Sequence, residues 1–344
     1  MKFRCFKTDL TKMLRLNVDE VLLSVSNEIM TITSNNYDIA IVNRISGITL
    51  EEGTALVDAK TFANIVRKLP DINVYLEKQN SILLIESGKA KFQIQVFNKE
   101  YPQVSYIQET NGVEVEFAKL EKALRQTMFA ASTDAIEPIF TGVYMDGENF
   151  VALDSVKMAA KKMDLNINQK IIVPVKVLNE VLKFDTDKVE IFCSDKQIMF
   201  RTDKTDIIGR LIVGDFIDYR KLLNGTSVNN VSIEVNTEDL INALERALVV
   251  EKENKYPVVL NISNETLNLS VKTTVGLFEE EIPIRKSGIN LTIGFNARNL
   301  IDSLKAVDTE KIEMTFKNDT QACRMNGPDY TFLVMPVRIK KEGE

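Results

Sequence analysis

Three stretches of the chain share one pattern of residues: VDAKTFANIVRKLPDINVYL at 57–76, VPVKVLNEVLKFDTDKVEIF at 173–192 and FNARNLIDSLKAVDTEKIEM at 295–314. Each has a basic residue at its fourth position, which is Lys60, Lys176 or Arg298. Apolar residues at helical spacing follow, and then a run rich in β-forming residues. An internal repeat of this length predicts three similar helix–strand units in one chain.

The apolar residues of each repeat recur at i and i+4, as on one face of an amphipathic helix. A second helical stretch precedes each repeat, at 6–16, 116–126 and 235–246, and its leucines are in register too. The aligned positions are Phe62, Leu178 and Leu300, then Val66, Leu182 and Leu304, and in the leading stretches Leu10, Leu120 and Leu240, then Leu14, Leu124 and Leu244. Matched register in two helices per unit favours a true repeat over ordinary helix–strand alternation.

The segments between these helices alternate apolar and polar residues and turn at Asn, Asp and Gly, which is typical of antiparallel hairpins. Polar and Gly/Asn residues interrupt the apolar pattern at 107–115 and 224–235. We therefore predict an α+β fold with domains at 1–110, 111–230 and 231–344. Each domain is expected to run strand, helix, hairpins, helix, hairpins, so that two helices pack on antiparallel sheets.

The composition excludes several classes of function. The chain has 344 residues and contains no histidine, so it lacks nucleophiles paired with imidazole and the commonest zinc, copper and non-haem iron ligands. Cys5, Cys193 and Cys323 are too far apart in sequence for C-x-x-C metal motifs. Neither G-x-x-x-x-G-K-[ST] nor G-x-G-x-x-G occurs. We predict reduced thiols, no metal, no cofactor and no catalysis.

The chain shows no targeting or membrane-spanning pattern. The basic residues of MKFRCFKTDL at 1–10 are not followed by the apolar segment of a secretory signal. No run approaches the roughly 18 apolar residues of a membrane-spanning helix. We expect a cytoplasmic protein that does not enter membranes.

Charge is divided unevenly along the chain. Although 49 Asp and Glu outnumber 43 Lys and Arg, giving a net charge of −6, five of the six repeated helices are mildly basic. The exception is the helix at 238–246, which is acidic. A basic helical face in an acidic chain suits loose, sequence-independent contact with phosphates. Surface helices also carry Lys and Arg for solubility alone, and charge does not decide between the two interpretations.

Six further segments carry a family resemblance, in order along the whole chain. They are MKF at 1–3, FNKEYPQ at 97–103, AASTDAIEPIFTGVYM at 130–145, VALDSVKMAA at 151–160, LIVGDFIDYRKLL at 211–223 and YTFLVMPVRI at 330–339. Together with the threefold repeat, they make the sequence resemble the bacterial DNA polymerase III beta subunits, the sliding clamps.

The resemblance implies that two three-domain protomers join head to tail into a six-domain ring around duplex DNA. Such a ring is a processivity factor without an active site. Its implied partners are the polymerase III catalytic subunit, the clamp loader, and repair and replication proteins. The edge FQIQVF at 92–97 would pair with the third domain of the other protomer. The cations on helices that would face DNA are Lys12, Arg15, Lys60, Arg67, Lys119, Lys122, Arg125, Lys176, Lys183, Arg298 and Lys305.

The resemblance also implies a hydrophobic pocket, between the second and third domains, that accepts short peptides with a Gln and a Leu/Phe-type anchor. The residues at the matching positions are Phe140, Leu153, Ser155, Val156, Lys157, Met158, Asn224, Leu333, Val334, Met335, Pro336, Val337 and Arg338. Apart from the resemblance, the apolar run near the C-terminus is better interpreted as an ordinary core strand.

The sequence departs from the family pattern at several functional positions. Val156 and Lys157 stand where His-Arg is usual, and Asn224 stands where proline is common. Glu137 replaces an arginine that usually faces DNA, and the loop between residues 16 and 21 is much shorter than in relatives. Glu137, the acidic helix at 238–246 and the short loop motivate an alternative function. The chain would then be a clamp-fold scaffold for partner proteins, a paralogue or a mobile-element form, that has lost efficient loading on DNA.

Overall fold

The computed structural model describes residues 1–13, 18–107, 112–134, 136–167, 169–226, 229–253 and 255–339. The described strands pair in antiparallel fashion and form three sheets. The chain divides into two compact units. The first unit comprises Met1–Phe117 and Lys176–Leu211, and the second comprises Ala118–Val175 and Ile212–Glu344.

The elements follow the predicted alternation of helices and hairpins. The strands are β1 (Lys2–Phe6), β2 (Glu20–Ser26), β3 (Ile29–Asn35), β4 (Ile39–Ser46), β5 (Ile48–Glu51), β6 (Gly53–Asp58), β7 (Asn73–Gln79), β8 (Ile82–Ser87), β9 (Ala90–Gln95), β10 (Val113–Glu116), β11 (Gly142–Met145), β12 (Asn149–Leu153), β13 (Lys157–Lys162), β14 (Ile171–Pro174), β15 (Lys188–Cys193), β16 (Gln197–Arg201), β17 (Thr205–Arg210), β18 (Val231–Asn236), β19 (Val258–Ser263), β20 (Thr266–Lys272), β21 (Leu277–Gly288), β22 (Leu291–Phe295), β23 (Lys311–Phe316), β24 (Cys323–Asn326) and β25 (Tyr330–Val334). The helices are α1 (Lys7–Met13), α2 (Ala59–Lys68), α3 (Phe117–Arg125), α4 (Val175–Val181), α5 (Tyr219–Gly225), α6 (Thr237–Val250) and α7 (Ala297–Lys305), with 3₁₀ helices at Met128–Ala130 and Pro138–Thr141.

The first unit contains two sheets. One has the strand order β5-β1-β7-β8-β9, and the other has the order β10-β15-β16-β17-β4-β3-β2-β6. Residues from α1, α2 and both sheets form one core, which includes Phe3, Leu10, Leu23, Phe62 and Leu76. The repeat position Phe62 is therefore a core residue, because it lies on the helix face that packs against strands.

The second unit contains a single sheet in the order β14-β11-β12-β13-β25-β24-β23-β18-β21-β20-β19-β22. The aligned repeat leucines of α3, α6 and α7 are completely buried; they are Leu120, Leu124, Leu240, Leu244, Leu300 and Leu304. Helix α7 begins after Asn296, whose side chain accepts backbone hydrogen bonds from Arg298 and Asn299. Asp58 caps α2 at the equivalent repeat position. The first and third repeats thus encode a cap as well as an apolar face, while Pro174 stands at this position in the second. Leu14 lies outside the described residues.

One helix departs from the prediction of two helices per domain. Residues Tyr219–Gly225 form α5, a third helix within 111–230. Tyr219 is buried and Leu223, one helical turn later, packs against the same apolar cluster. Seven residues give fewer than two full turns, which is too short for a periodic pattern to identify.

Three further predictions concern metal binding, membrane crossing and the cysteine thiols. In the described part of the chain, no group of three or more Cys, Asp or Glu side chains could hold a metal ion. No helix there is long and apolar enough to cross a membrane. Cys5, Cys193 and Cys323 are not joined by disulfide bonds, and burial raises the pKa of Cys5 to about 12.

A buried ion cluster joins strands of the first and second predicted domains within the first unit. Strand β4 pairs with β17, and the Asp206 carboxylate between them is completely buried. It accepts hydrogen bonds from Arg201 Nε at 3.1 Å and from both terminal nitrogens of Arg44, one of them at 3.2 Å. Hydrogen bonding to Asp206 raises the pKa of Arg44, so the guanidinium group stays charged at neutral pH.

We predict that Asp206→Ala lowers the free energy of unfolding by about 2 to 3 kcal/mol, because it leaves two partly buried guanidinium groups without their carboxylate. Urea unfolding followed by circular dichroism measures this change. Asp203→Ala, in the exposed turn between β16 and β17, is the matched control and should change stability by less than about 0.5 kcal/mol. Equal stabilities of the two variants would contradict the structural importance of the cluster.

Candidate functional site

A mostly apolar cavity of about 420 Å³ lies in the second unit. Four segments form it: the turn between β12 and β13, helix α5, the turn before β24, and the end of β25. The lining residues are Leu153, Asp154, Ser155, Val156, Lys157, Met158, Lys221, Leu222, Gly225, Thr226, Thr320, Gln321, Ala322, Leu333 and Met335. A cavity of this size and character can take a few apolar side chains of a ligand.

Strand register brings three of these segments together. Met158 of β13 pairs with Leu333 of β25, and Cys323 of β24 pairs with Val334 on the other side of β25. Ala322 precedes Cys323 and Met335 follows Val334, so antiparallel pairing places these two residues side by side. The cavity therefore lies where the turns of two hairpins meet, at the same end of neighbouring strands.

Backbone hydrogen bonds fix the walls. Asp154 Oδ1 accepts from the backbone N–H groups of Val156 and Lys157 at 2.8 and 2.7 Å, which closes the turn. The Met335 N–H donates to the Val156 carbonyl at 2.8 Å, so the half-exposed Met335 side chain is held against this turn. Two residues later, the Val337 N–H donates to the Gly294 carbonyl. A Cβ at Gly294 would lie 2.8 Å from the Val337 oxygen, so this close approach requires glycine.

An apolar cluster forms the floor of the cavity. Leu153, Met158 and Leu333 belong to it, together with Val151, Ala160 and Tyr219. The Tyr144 and Phe216 rings stack at 4.6 Å beneath them, and Phe140 meets Phe216 edge to face at 6.2 Å. Rotamers in such a packed cluster are restricted, so the floor is pre-formed.

The cations at the cavity are paired with carboxylates of the same unit. Lys157 Nζ lies 3.2 Å from Asp302 Oδ2 on α7, and Lys221 Nζ lies 3.2 Å from Asp218 Oδ2. The Lys157 side chain is only 12% exposed, so its methylene groups contribute apolar surface. Apolar surface is therefore the main interaction that this cavity offers to a ligand.

The structure brings together seven of the thirteen predicted pocket residues. These are Leu153, Ser155, Val156, Lys157, Met158, Leu333 and Met335. Phe140 supports the floor from below, and Val334 is completely buried. Asn224 lies in α5 between lining residues, while Pro336, Val337 and Arg338 continue past the cavity without lining it. The partner-binding role of all thirteen residues stays a prediction.

The lining also includes residues that sequence reasoning missed. Lys221, Leu222 and Gly225 come from α5, Thr226 follows it directly, and Thr320, Gln321 and Ala322 come from the turn before β24. The Asn318 side chain accepts from the Thr320 and Gln321 N–H groups and shapes that turn. The Asn-Asp pair at 318–319 signals a turn, but only strand pairing shows that the turn lies beside Met335.

A larger cleft of about 810 Å³ lies in the first unit. Its lining is mainly polar and charged and includes Asp19, Glu20, Lys60, Arg67 and Tyr101. The Tyr101 hydroxyl accepts from the Asn35 N–H at 2.8 Å, so this side chain already serves the β3–β4 turn. Because its lining is mainly polar, the cleft is less suited than the smaller cavity to bury an apolar anchor.

The cations predicted to face DNA lie on exposed surfaces. Arg15 is outside the described residues, and the other ten are exposed: Lys12, Lys60, Arg67, Lys119, Lys122, Arg125, Lys176, Lys183, Arg298 and Lys305. Lys183 lies two residues beyond the end of α4. Their DNA-facing role stays a prediction.

Several of these cations already have acidic neighbours. The ion pairs are Lys12–Asp185, Lys122–Asp308, Arg125–Glu121, Lys176–Asp38, Lys183–Glu180 and Lys305–Glu245. Exposed pairs of this kind contribute about 0 to 1 kcal/mol each. Phosphates can therefore displace the carboxylates at little cost, while the neighbouring negative charge keeps the attraction weak.

Comparison with known proteins gives the same assignment along the whole chain. Three models of the DNA polymerase III beta subunit match in order: the N-terminal domain at 17–105, the central domain at 114–218 and the C-terminal domain at 227–338. The beta sliding clamp of Streptococcus pneumoniae is 31% identical over an alignment of 345 positions, which covers 92% of this chain and 91% of that protein.

Solved structures agree with this match. The crystal structure of the DNA polymerase beta subunit of Streptococcus pyogenes is 27% identical and superimposes with a TM-score of 0.91, covering 98% of this chain and 100% of that one. The DNA polymerase sliding clamp of Bacillus subtilis gives a TM-score of 0.91 at 26% identity, with 99% and 100% covered.

The repeated helix–sheet units and the matched models define a three-domain clamp. The chain belongs to the DNA polymerase III beta subunit family, the bacterial beta sliding clamps. It is a DNA polymerase processivity factor, and since sliding clamps are non-catalytic, the family assignment confirms that it is not an enzyme.

Proposed function

We propose that this clamp acts as a head-to-tail homodimer that encircles duplex DNA, and that its apolar cavity captures peptides of the polymerase and other partners. The observation that carries the proposal is the cavity formed by 153–158, α5, 320–322 and Met335, because it offers a pre-formed apolar site. The protein would act in the cytoplasm, where chromosomal DNA, polymerase and clamp loader are found.

Domain boundaries at 1–110, 111–230 and 231–344 form part of the proposal. The matched domain models leave 106–113 and 219–226 between them. The boundary after residue 110 falls within 106–113. The boundary after residue 230 falls four residues beyond the end of 219–226. Strands β4 and β17 pair across the first boundary, so the first two domains share one sheet.

Two strand segments with an open edge support the proposed dimer interface. Strand β9 ends the five-stranded sheet, and residues 277–283 of β21 pair with β20 while only 284–288 pair with β18. Among the described strands, each of these segments therefore has one open edge. Lys91 lies on β9, whereas Glu279, Glu280 and Glu281 lie on β21. Edge pairing between opposite charges on two protomers would close the ring.

Apolar residues surround the open edge of β21. Val249, Val275 and Leu277 are 68%, 82% and 59% exposed. The turn that carries Val275 packs on the end of α6, where the Thr273 hydroxyl contacts the Val250 carbonyl. Exposed apolar side chains grouped in this way indicate a protein interface. On β9 the half-buried Phe92 and Ile94 could complete the contact.

Contact with DNA would be weak and independent of sequence. The exposed cations on the repeated helices supply attraction to phosphates, which carries no base information. A closed ring needs no strong contact, because topology alone prevents dissociation from circular DNA. Weak contacts also permit sliding, so mild positive charge is sufficient.

The cavity would bind an extended peptide segment through apolar anchors. Burial of apolar surface contributes about 25 cal/mol per Å², and Met158 and Met335 can adapt to anchors of different shape. Polymerase III catalytic subunit, clamp loader, and repair and replication proteins would share this site. They would therefore compete for each protomer.

We predict that the protein, loaded by a clamp loader with ATP on nicked circular DNA, co-elutes with the DNA in gel filtration and is lost when the DNA is linearised. Linearisation opens an exit from the ring without changing any local contact. The control is circular DNA cut and religated before loading. Equal retention on circular and on linearised DNA would contradict encirclement.

The same assay tests the scaffold alternative. Glu137 is exposed in front of a 3₁₀ helix, and α6 carries Glu238 and Asp239 in its first turn. Both oppose phosphate contact. A chain that binds partner peptides but is never retained on circular DNA would favour the scaffold.

A further inference from the structure

Helix α5 forms one wall of the cavity although it is too short to hold its own position. It contributes Lys221, Leu222 and Gly225 to the lining. Isolated helices shorter than about 12 residues are marginal in water, and α5 has seven residues. Its placement must therefore come from contacts with the sheet.

The first turn of α5 is tied to the β11–β12 turn by a buried carboxylate. The Tyr219 hydroxyl and Arg220 Nη2 donate to Asp146 Oδ2 at 2.8 and 2.7 Å. Asp146 Oδ1 accepts from the N–H groups of Glu148 and Asn149 at 3.2 and 2.9 Å. The Asp146 side chain is 2% exposed. Burial raises the pKa of Asp146, but these hydrogen bonds outweigh that effect and lower it, so the group is ionised at neutral pH.

The last turn of α5 is tied to β24 by an arginine. Arg324 Nη1 donates to the Leu223 carbonyl at 2.7 Å and to Thr226 Oγ1 at 3.4 Å. Arg324 Nε donates to Asn326 Oδ1 at 2.8 Å, which fixes the side chain on its strand. Carbonyls in the last turn of a helix lack partners within the helix, and Arg324 supplies one.

The two contacts lie on opposite sides of the cavity floor. In the sheet, β11, β12, β13, β25 and β24 are consecutive neighbours. Neighbouring strands are about 4.8 Å apart, so this run is roughly 19 Å wide. Helix α5 is about 10 Å long, and the side chains of Tyr219 and Arg324 cover the remaining distance. The helix therefore bridges the strands that carry Leu153, Met158 and Leu333.

We propose that Asp146 and Arg324 are positioning residues for partner binding, which hold α5 across the cavity as a pre-formed wall. The inference rests on the proposed peptide-binding function of the cavity. A wall that is ordered in advance saves the entropy that would otherwise be lost when the peptide binds. Neither residue lines the cavity, so both act through α5.

The test measures binding of a fluorescein-labelled peptide that contains a Gln and a Leu-Phe pair to the full-length protein. Tyr219→Phe removes one hydroxyl and keeps the ring, and Arg324→Ala removes the contact with the last turn. We expect about tenfold weaker binding for each, with faster dissociation and an unchanged number of sites per protomer. Arg324→Lys should recover part of the affinity, because lysine can still donate to the Leu223 carbonyl.

Matched controls are Glu234→Ala and Arg285→Ala, which break an exposed ion pair of the same unit at 3.6 Å, and which should leave affinity unchanged. A general folding defect would lower the number of sites without accelerating dissociation, and this result would overturn a positioning role. If Arg324→Ala does not fold, the peptide affinity of Tyr219→Phe alone tests the inference. In that variant we also expect faster amide hydrogen exchange over 219–225.

Affinities for Tyr219→Phe and Arg324→Ala equal to that of the unmodified protein would overturn the inference while leaving the pocket intact. An unmodified protein that does not bind the peptide at all would overturn the pocket and this inference together.

Discussion

Met335→Asp is expected to abolish binding of clamp-binding peptides, with at least about a hundredfold loss of affinity. The substitution places a carboxylate beside Val156, where the Met335 backbone is held by a hydrogen bond of 2.8 Å. A peptide anchor would have to remove water from this charge, and the apolar floor offers it no partner. Fluorescence anisotropy with the labelled Gln and Leu-Phe peptide measures the loss.

Folding and dimerisation should be unaffected by this change, because the Met335 side chain is 42% exposed and lies apart from the proposed interface strands. Val213→Asp is the matched control, since Val213 is 88% exposed in the same unit and does not line the cavity. Light scattering should give dimers for both variants. A peptide affinity for Met335→Asp within about threefold of the unmodified protein would move the partner site elsewhere.

Gln93→Pro is expected to convert the dimer into monomers. The Val96 N–H donates to Ser81 of the neighbouring segment, and the Phe97 N–H points the other way to Leu56. Since hydrogen-bonded and non-hydrogen-bonded positions alternate along an antiparallel strand, the backbone N–H of Gln93 points toward the open edge of β9. Proline removes this donor and places its ring where a partner strand would pair, while the hydrogen bonds to β8 remain.

Sedimentation velocity at micromolar concentration measures the effect, and we expect the dimer dissociation constant to rise by at least about a hundredfold. Gln93→Ala keeps the N–H and is the matched control, which should remain dimeric. Loss of dimers should also abolish retention on circular DNA, because an open protomer cannot encircle the duplex. A Gln93→Pro protein that stays dimeric would show that β9 is not the interface strand.

Several residues that line the cavity, including those of helix α5, could not be predicted from the sequence. The segments at 153–158 and 333–335 were placed in one pocket only because they resembled family motifs. Asn224 was the one residue of α5 assigned to the pocket, although 211–223 resembles a family motif, because a helix of seven residues is too short for periodicity to identify. The turn at 320–322 had no signal, because it is an ordinary turn. Phe140 and Val334 were assigned to the lining from their position in a motif, yet one packs under the floor and the other is buried in β25.

The buried ion cluster at Asp206 gives a second example. Nothing in the sequence distinguishes this aspartate from the exposed Asp203 three residues earlier. Pairing of β17 with β4 places Asp206 next to Arg44, a residue 162 positions away. Its neutralisation by Arg44 and Arg201 then becomes essential, because a buried unpaired charge costs several kcal/mol.

The sequence by itself determined the threefold repeat, the buried faces of its helices, the α+β class and the absence of imidazole chemistry. These properties depend on composition and on spacings of a few residues, which are local and can be counted. Only the tertiary structure decided which residues line the cavity, how α5 is held across it and which strand edges remain open. They depend on the register between strands that are far apart in sequence, and register is set by packing of the whole sheet.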